Sequence, residues 1–255
     1  MNSLCSIQGY GFRNANAVVA VDPLLTNLVN WYKFNTADQT GSTVKDFVTG
    51  TYNATLVSSA VISTTQSKFG GASLYVNGGA NGAGCCCSLP PFVFNGSGSI
   101  AFWTYCTAYT AGQPPFLMKE SSAGVINNSL YYGKILRPWY NNGAGNVTNI
   151  TKMTYDTDGF DQTITGSSFN IINTWVHLAY VFSNSVIQLY VNGTLYGTSN
   201  PYALHTNLVN LTYAYFYIGS DVNQNGAQTA YFDDFRVYNI QLTSTQVTAI
   251  YNYLG

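Results

Sequence analysis

Side chains able to do chemistry are sparse: 10 Asp and Glu, 9 Lys and Arg and 2 His in 255 residues. Glycoside hydrolysis needs two carboxyl groups across the scissile bond, one acting as acid and the other as nucleophile or base. Glu120 is the only glutamate, with no acidic residue two or four positions on. Asp156, Asp158 and Asp161 fall in the glycine-containing segment DTDGFD, a composition that serves turns. There is no G-x-S-x-G nucleophile elbow, and neither His177 nor His205 has a partner at a useful spacing. The expectation is a chain without catalytic activity.

Two segments could hold a ligand. In Arg137-Pro-Trp-Tyr-Asn-Asn142, read as a loop, Trp139 and Tyr140 offer flat faces to a sugar ring or an apolar anchor. Arg137, Asn141 and Asn142 add polar groups. The other is Asp221-x-Asn223-x-Asn225-Gly226, the first half of a calcium loop, in which alternate oxygens wrap a hard cation. Its twelfth position holds Phe232 rather than an acid, and Asp233 follows one step late. Calcium is thus the one candidate cofactor, with Asp221, Asn223, Asn225 and Asp233 as its ligands. The bland readings are an Asn/Gly-rich hairpin loop, a Trp139 tucked into the core, and an Asp233-Asp234 pair with one carboxylate accepting loop amides and the other in water.

These residues need a scaffold, and composition narrows it. Charged residues make up 7% of the chain, against about 25% in an average soluble domain. With a net charge of -1 and no cluster of Lys or Arg, a nucleic-acid partner is excluded. A 46% hydrophobic and 15% aromatic content supplies enough apolar surface to fold. No apolar run approaches the ~20 residues of a membrane helix, and the N-terminus has no secretion signal pattern. Five Cys, three of them adjacent at Cys85–Cys87, make a poor disulfide framework and lack zinc-site spacing. They read as small buried thiols in a tight turn, made in a reducing compartment.

Short alternating runs rich in β-branched and aromatic residues, separated by Gly, Asn, Asp, Ser and Thr, predict an all-β sandwich. Predicted strands include Val29–Phe34, Leu130–Leu136, Val147–Tyr155, Trp175–Phe182 and Tyr231–Tyr238. Asn192-Gly193, between Val186–Val191 and Thr194–Tyr196, fits a type I′ hairpin turn, and LYVNG also occurs at Leu74–Gly78. On Trp175–Phe182 both faces are largely apolar, so the strand belongs to the interior, with His177 a structural, hydrogen-bonded histidine. Thr243-Ser-Thr-Gln246 is a capping box, and Val247, Ile250, Tyr251 and Leu254 predict one helical apolar face docked on the sheet edge. Residues 1–26 show neither pattern and are expected to form an N-terminal arm, with 27–255 expected to be one β-sandwich domain.

Four segments in order, LVNWYKFNTADQTGSTVKD (28–46), KFGGASLYVNG (68–78), NTWVHLAYVFSNSVIQLYVNGTLYG (173–197) and IGSDVNQNGAQTAYFDDFRVYNIQLTSTQVTAIY (218–251), resemble the laminin-G-like jelly roll of the concanavalin A-like lectin/glucanase superfamily. The resemblance implies a two-sheet antiparallel jelly roll with one short C-terminal helix, in a superfamily where some relatives are glycoside hydrolases and lectin-like domains often hold calcium. A charge-poor surface with 21 Tyr also suits permanent packing against other protein subunits. The expected function is a binding and structural module in a multi-copy assembly, such as a component of a large virus particle; the alternative is a stand-alone glycan-binding, lectin-like protein.

Overall fold

The computed structural model describes residues 24–77, 86–93, 97–108, 116–119, 135–140, 146–147, 151–155, 160–164, 169–183, 186–199, 212–213, 215–219 and 229–255. Two antiparallel sheets dominate. The first runs Thr194–Thr198, Ile187–Val191, Val176–Phe182, Gly98–Ala108, Thr229–Tyr238, Ser73–Val76, Val61–Ser63, and Leu28–Tyr32 also pairs with Thr229–Tyr238. The second runs Phe160–Ile164, Thr151–Tyr155, Ile135–Tyr140, Phe116–Lys119, Tyr215–Ile218, Cys86–Leu89, Ala54–Val57, Thr43–Val44, Gln39–Thr40. Hairpins of consecutive strands, such as Ile187–Val191 with Thr194–Thr198, alternate with pairings of strands distant in sequence, such as Gly98–Ala108 with Thr229–Tyr238, as in a jelly roll.

The inner faces of both sheets close on one apolar core. Phe102 sits at its centre, stacked on Phe235 at 5.1 Å and edge-on to Phe116 of the opposite sheet at 6.1 Å. Val176–Phe182 is buried along its whole length, as expected of a strand apolar on both sides. Val176, Leu178, Tyr180 and Phe182 face the inter-sheet core, whereas Ala179 and Val181 face a second cluster outside the sheet.

That second cluster shows how the helix docks at the sheet edge. Ser244–Tyr251 lies over the outer face of the first sheet, with Val247 and Ile250 packed among Ala101, Ala179, Val181, Tyr190 and Tyr238. The helix backbone lies nearest the edge strand Thr194–Thr198, as expected, with Thr248 Oγ1 donating to Gly193 O at 3.0 Å, and its apolar side chains reach across the small Ala101 and Ala179. Its capping box forms as predicted: Gln246 N donates to Thr243 Oγ1 at 3.2 Å, and Thr243 N to Gln246 Oε1 at 2.9 Å. Leu254, predicted on the apolar face, is 90% exposed, because the helix ends at Tyr251.

Asn192 and Gly193 have φ of 48° and 78°, the paired positive values of a type I′ turn. Two other expectations change. Cys86–Leu89 is a paired strand, so Cys86 and Cys87 are core residues of a sheet and not part of a tight turn. Ile135–Tyr140 is a strand where a loop was expected at 137–140 and a strand at 130–136. Pro138 is accommodated because 137–140 pair with 151–154, whereas only 135–136 pair with the strand on the other side.

Candidate functional site

The strand Thr229–Tyr238 organises the outer face of the first sheet. Its inward residues are Ala230, Phe232, Phe235 and Val237. Strict alternation from Phe232 would turn Asp234 and Arg236 into the apolar core. A β-bulge prevents this: Asp233 pairs with Trp103 and Arg236 with Ala101, so three residue steps oppose two. Asp234 takes the extra step at φ 51°. The bulge sends Asp233, Asp234 and Arg236 together to the outer side.

Asp233 lies where two strands share the same edge, Ser73–Val76 pairing with 230–232 and Leu28–Tyr32 with 235–238. Its carboxylate fills the break in the ladder. Oδ2 accepts from the Lys68 and Phe69 amides at 2.8 and 2.9 Å, and Oδ1 from the Asp234 amide at 2.8 Å. A carboxylate accepting loop amides is present as expected, but it lies on the outer side of the sheet and not inward. Burial pushes this carboxyl up to about 7 against the pull of the amides. Both oxygens, assigned from sequence to calcium, are engaged by backbone donors.

Asp234 does not stand in water, as the sequence suggested, but is 4% exposed. Its Oδ1 accepts from Trp31 Nε1 at 2.6 Å and from Arg236 Nε at 3.0 Å. The Arg236 guanidinium lies 4.4 Å from both the Trp31 and Tyr253 ring centres. Burial raises the Asp234 pKa, opposed by Arg236 and Trp31; for Arg236 burial pulls the pKa down, but Asp234 and Tyr238 together outweigh it, so it rises too. A cleft of about 90 Å³ opens beside this pair, walled by Trp31, Lys33, Phe69 and Tyr253. A wider hollow of about 440 Å³ over Asp38, Thr43, Lys45 and Asn53 has no aromatic wall.

His177 is completely buried between the Trp103 and Tyr251 rings, at 5.3 and 5.9 Å. The expected hydrogen-bond partner is missing: neither ring nitrogen meets a protein donor or acceptor. Burial lowers its pKa to about 3, with the positive charges of Arg236 and Lys68 adding to the effect. It is a neutral aromatic filler under the helix.

Towards the other end of the sheet the outer face carries, among the described residues, a row of aromatic rings. Tyr75, Tyr231 and Tyr105 are direct cross-strand partners, and Trp175 follows one position before the Val176–Thr104 pair. Ring centres are 4.7 Å apart for Tyr75–Tyr231, 6.1 Å for Tyr231–Tyr105 and 5.6 Å for Tyr105–Trp175. Tyr75, Tyr105 and Trp175 are half-buried, whereas Tyr231, packed between Tyr75 and Tyr105, is buried. Sequence reasoning missed this row because its members come from four separate segments. The pairing of YVN at 75–77 with AYF at 230–232 was the available signal.

Of the residues singled out from sequence, Arg137, Trp139 and Tyr140 are placed by backbone on a strand of the second sheet. Asn141, Asn142, Asp221, Asn223 and Asn225 lie outside the described residues. Among the described residues no three His, Cys, Asp or Glu side chains gather where they could share a metal, and no helix is long and apolar enough to cross a membrane.

A laminin-G-type family profile, described as the concanavalin A-like lectin/glucanases superfamily, matches residues 81–248. The chain belongs to this superfamily. No curated protein sequence matches it. Among solved structures, domain 4 of the arabinanase AbnA from Geobacillus stearothermophilus, in complex with arabinotriose, is 18% identical with a TM-score of 0.57, covering 89% of this chain and 98% of that domain. The binding domain of Paraclostridial Mosquitocidal Protein 1 is 16% identical with a TM-score of 0.60, over 90% of this chain and 52% of that one. Trypanosoma rangeli sialidase, in complex with 2,3-difluorosialic acid, is 15% identical with a TM-score of 0.61, over 89% of this chain and 32% of the enzyme. The chain thus spans about half of the toxin domain and a third of the sialidase. At these identities the likeness is one of fold: a two-sheet antiparallel jelly roll with one short helix.

Proposed function

We propose that this chain is a non-catalytic, glycan-binding module. The observation that carries the reading is its match, as one jelly roll, to nearly the whole of a domain whose structure holds arabinotriose. The carboxylates support it. Among the described residues Asp233 and Asp234 are sequence neighbours tied to three backbone amides, an indole and a guanidinium, an arrangement that serves the fold and does not set these two facing each other across a sugar bond. The test is retention on immobilised glycans and polysaccharides, with release of reducing sugar measured on the same samples. Retention without turnover supports the reading; turnover abolished by changing one Asp overturns the non-catalytic half.

A second reading rests on the 7% charged content, which gives little electrostatic protection against association. Here the module packs permanently against other protein subunits, as in a large virus particle, with the 1–26 arm docked on a neighbour. Deleting residues 1–23 should release the protein from such a particle while leaving the sandwich folded. A monomer at high concentration that binds glycan with no protein partner would overturn this second reading.

A further inference from the structure

We infer that Tyr75, Tyr105 and Trp175, with the buried Tyr231 packed between Tyr75 and Tyr105, are the ligand platform, and that its ligand is an extended, uncharged polysaccharide lying across the strands. The inference rests on the glycan-binding reading and assigns it a face and a ligand class. The row crosses four adjacent strands, with neighbouring ring centres 4.7, 6.1 and 5.6 Å apart, so its exposed members lie along one line across the strands. On the neighbouring edge strand, Val61 pairs with Tyr75 and is 46% exposed, extending the apolar strip by one more strand.

The composition of the surroundings selects the occupant. The row bordering the strip on its free side holds Asn77, Thr229 and Thr107, polar but uncharged, with Thr107 Oγ1 donating to Thr229 O at 3.1 Å. Such a border suits hydroxyl groups, and the ring faces suit the apolar C–H faces of sugars. On the covered side come Trp103, His177 and Asp233, under Phe69, Tyr251 and Lys68. His177 is held neutral by burial, the Asp233 carboxylate is engaged by amides, and the Lys68 ammonium sits 3.8 Å from the Trp103 ring centre. The strip itself contains no charge to attract an anionic polymer. It is one side chain wide, too narrow to be the core of a specific protein interface of ~1,000 Å² or more.

The experiment uses the full chain with cellulose, chitin and linear arabinan as neutral probes and heparin as the anionic comparison. Binding isotherms are measured for the wild type, Tyr105→Ala, Trp175→Ala and, as a variant that keeps apolar volume without an aromatic face, Tyr105→Leu. At least one neutral polymer should bind, and each variant should bind it about tenfold more weakly, the effect of losing roughly one ring-face contact. Wild-type affinity should hold from about 0.1 to about 1 M salt, because no ion pair is involved. Unchanged unfolding midpoints identify the variants that keep the fold. Equal binding by wild type and folded variants overturns the platform while leaving the glycan-binding function intact, as does preference for heparin. Wild-type protein that binds none of the polymers overturns both.

Discussion

Trp31 and Asp234 are 203 residues apart in the chain, yet the indole N–H of one donates to the carboxylate of the other at 2.6 Å. This contact ties the first strand of the described structure to the bulge in the last. Arg236 shares the same carboxylate oxygen at 3.0 Å, while Asp234 Oδ2 and Arg236 Nη2 find no hydrogen-bond partner. A buried pair this incompletely satisfied specifies geometry more than it stabilises, since desolvation offsets most of the attraction.

Asp234→Ala should therefore cost about 3–5 kcal/mol, because it strands a buried guanidinium between two rings. The double variant Asp234→Ala/Arg236→Met should recover most of that loss. Urea unfolding of both variants checks it; a double variant no more stable than the single one would mean that the pair supplies net stability.

His177 yields a pH prediction. Its folded pKa, near 3, lies below the ordinary 6.5, so the unfolded chain takes up a proton that the folded chain refuses. Its contribution is fully present above pH 6.5 and is lost as pH falls towards 3, at about 1.4 kcal/mol per unit. His177→Leu, which removes two unpaired nitrogens, should be as stable as the wild type or up to about 2 kcal/mol more stable at pH 7. The difference between variant and wild type should widen with acidification. Parallel stability curves from pH 7 to 4 would refute a neutral buried imidazole.

Much of this fold is legible in the sequence because its signals are local. Asn192-Gly193 dictates a turn, Thr243 and Gln246 cap each other, and Val176–Phe182 carries apolar side chains on both faces. What escapes is long-range. The bulge at Asp234 leaves no mark in DDFRVY, where simple alternation puts one acid in and one out. Cys86 and Cys87 lack the β-branched character that marks strands, and only pairing with Ala54–Val57 and Tyr215–Ile218 makes them so. The aromatic row likewise appears only when four strands come into register. The Trp139 segment looked chemically richer because its residues are adjacent in sequence.

The described cysteines should be unreactive. Cys86, Cys87 and Cys106 are free thiols and buried. Burial pushes the Cys87 thiol well above its ordinary value and Cys106 up to about 12, so neither offers thiolate at neutral pH. In a Cys5→Ser/Cys85→Ser background, a thiol-reactive chromophore should label the protein only as fast as it unfolds. Rapid stoichiometric labelling in native buffer would contradict the buried strand at 86–89.

Gly193 joins the hairpin to the helix, and the two demands on it can be measured apart. Its φ of 78° favours glycine, and a Cβ there would come within 3.0–3.2 Å of the Tyr251 ring. Tyr251 in turn stacks on Trp103 at 5.5 Å, so a displaced ring would disturb the cover over His177. Gly193→Ala should cost about 1–3 kcal/mol from backbone strain, with the crowded contact adding to it. In a Tyr251→Ala background the crowding is gone while the strain remains, so the same substitution should cost measurably less. Equal costs in the two backgrounds would show that the helix yields freely and that Gly193 is required by the turn alone.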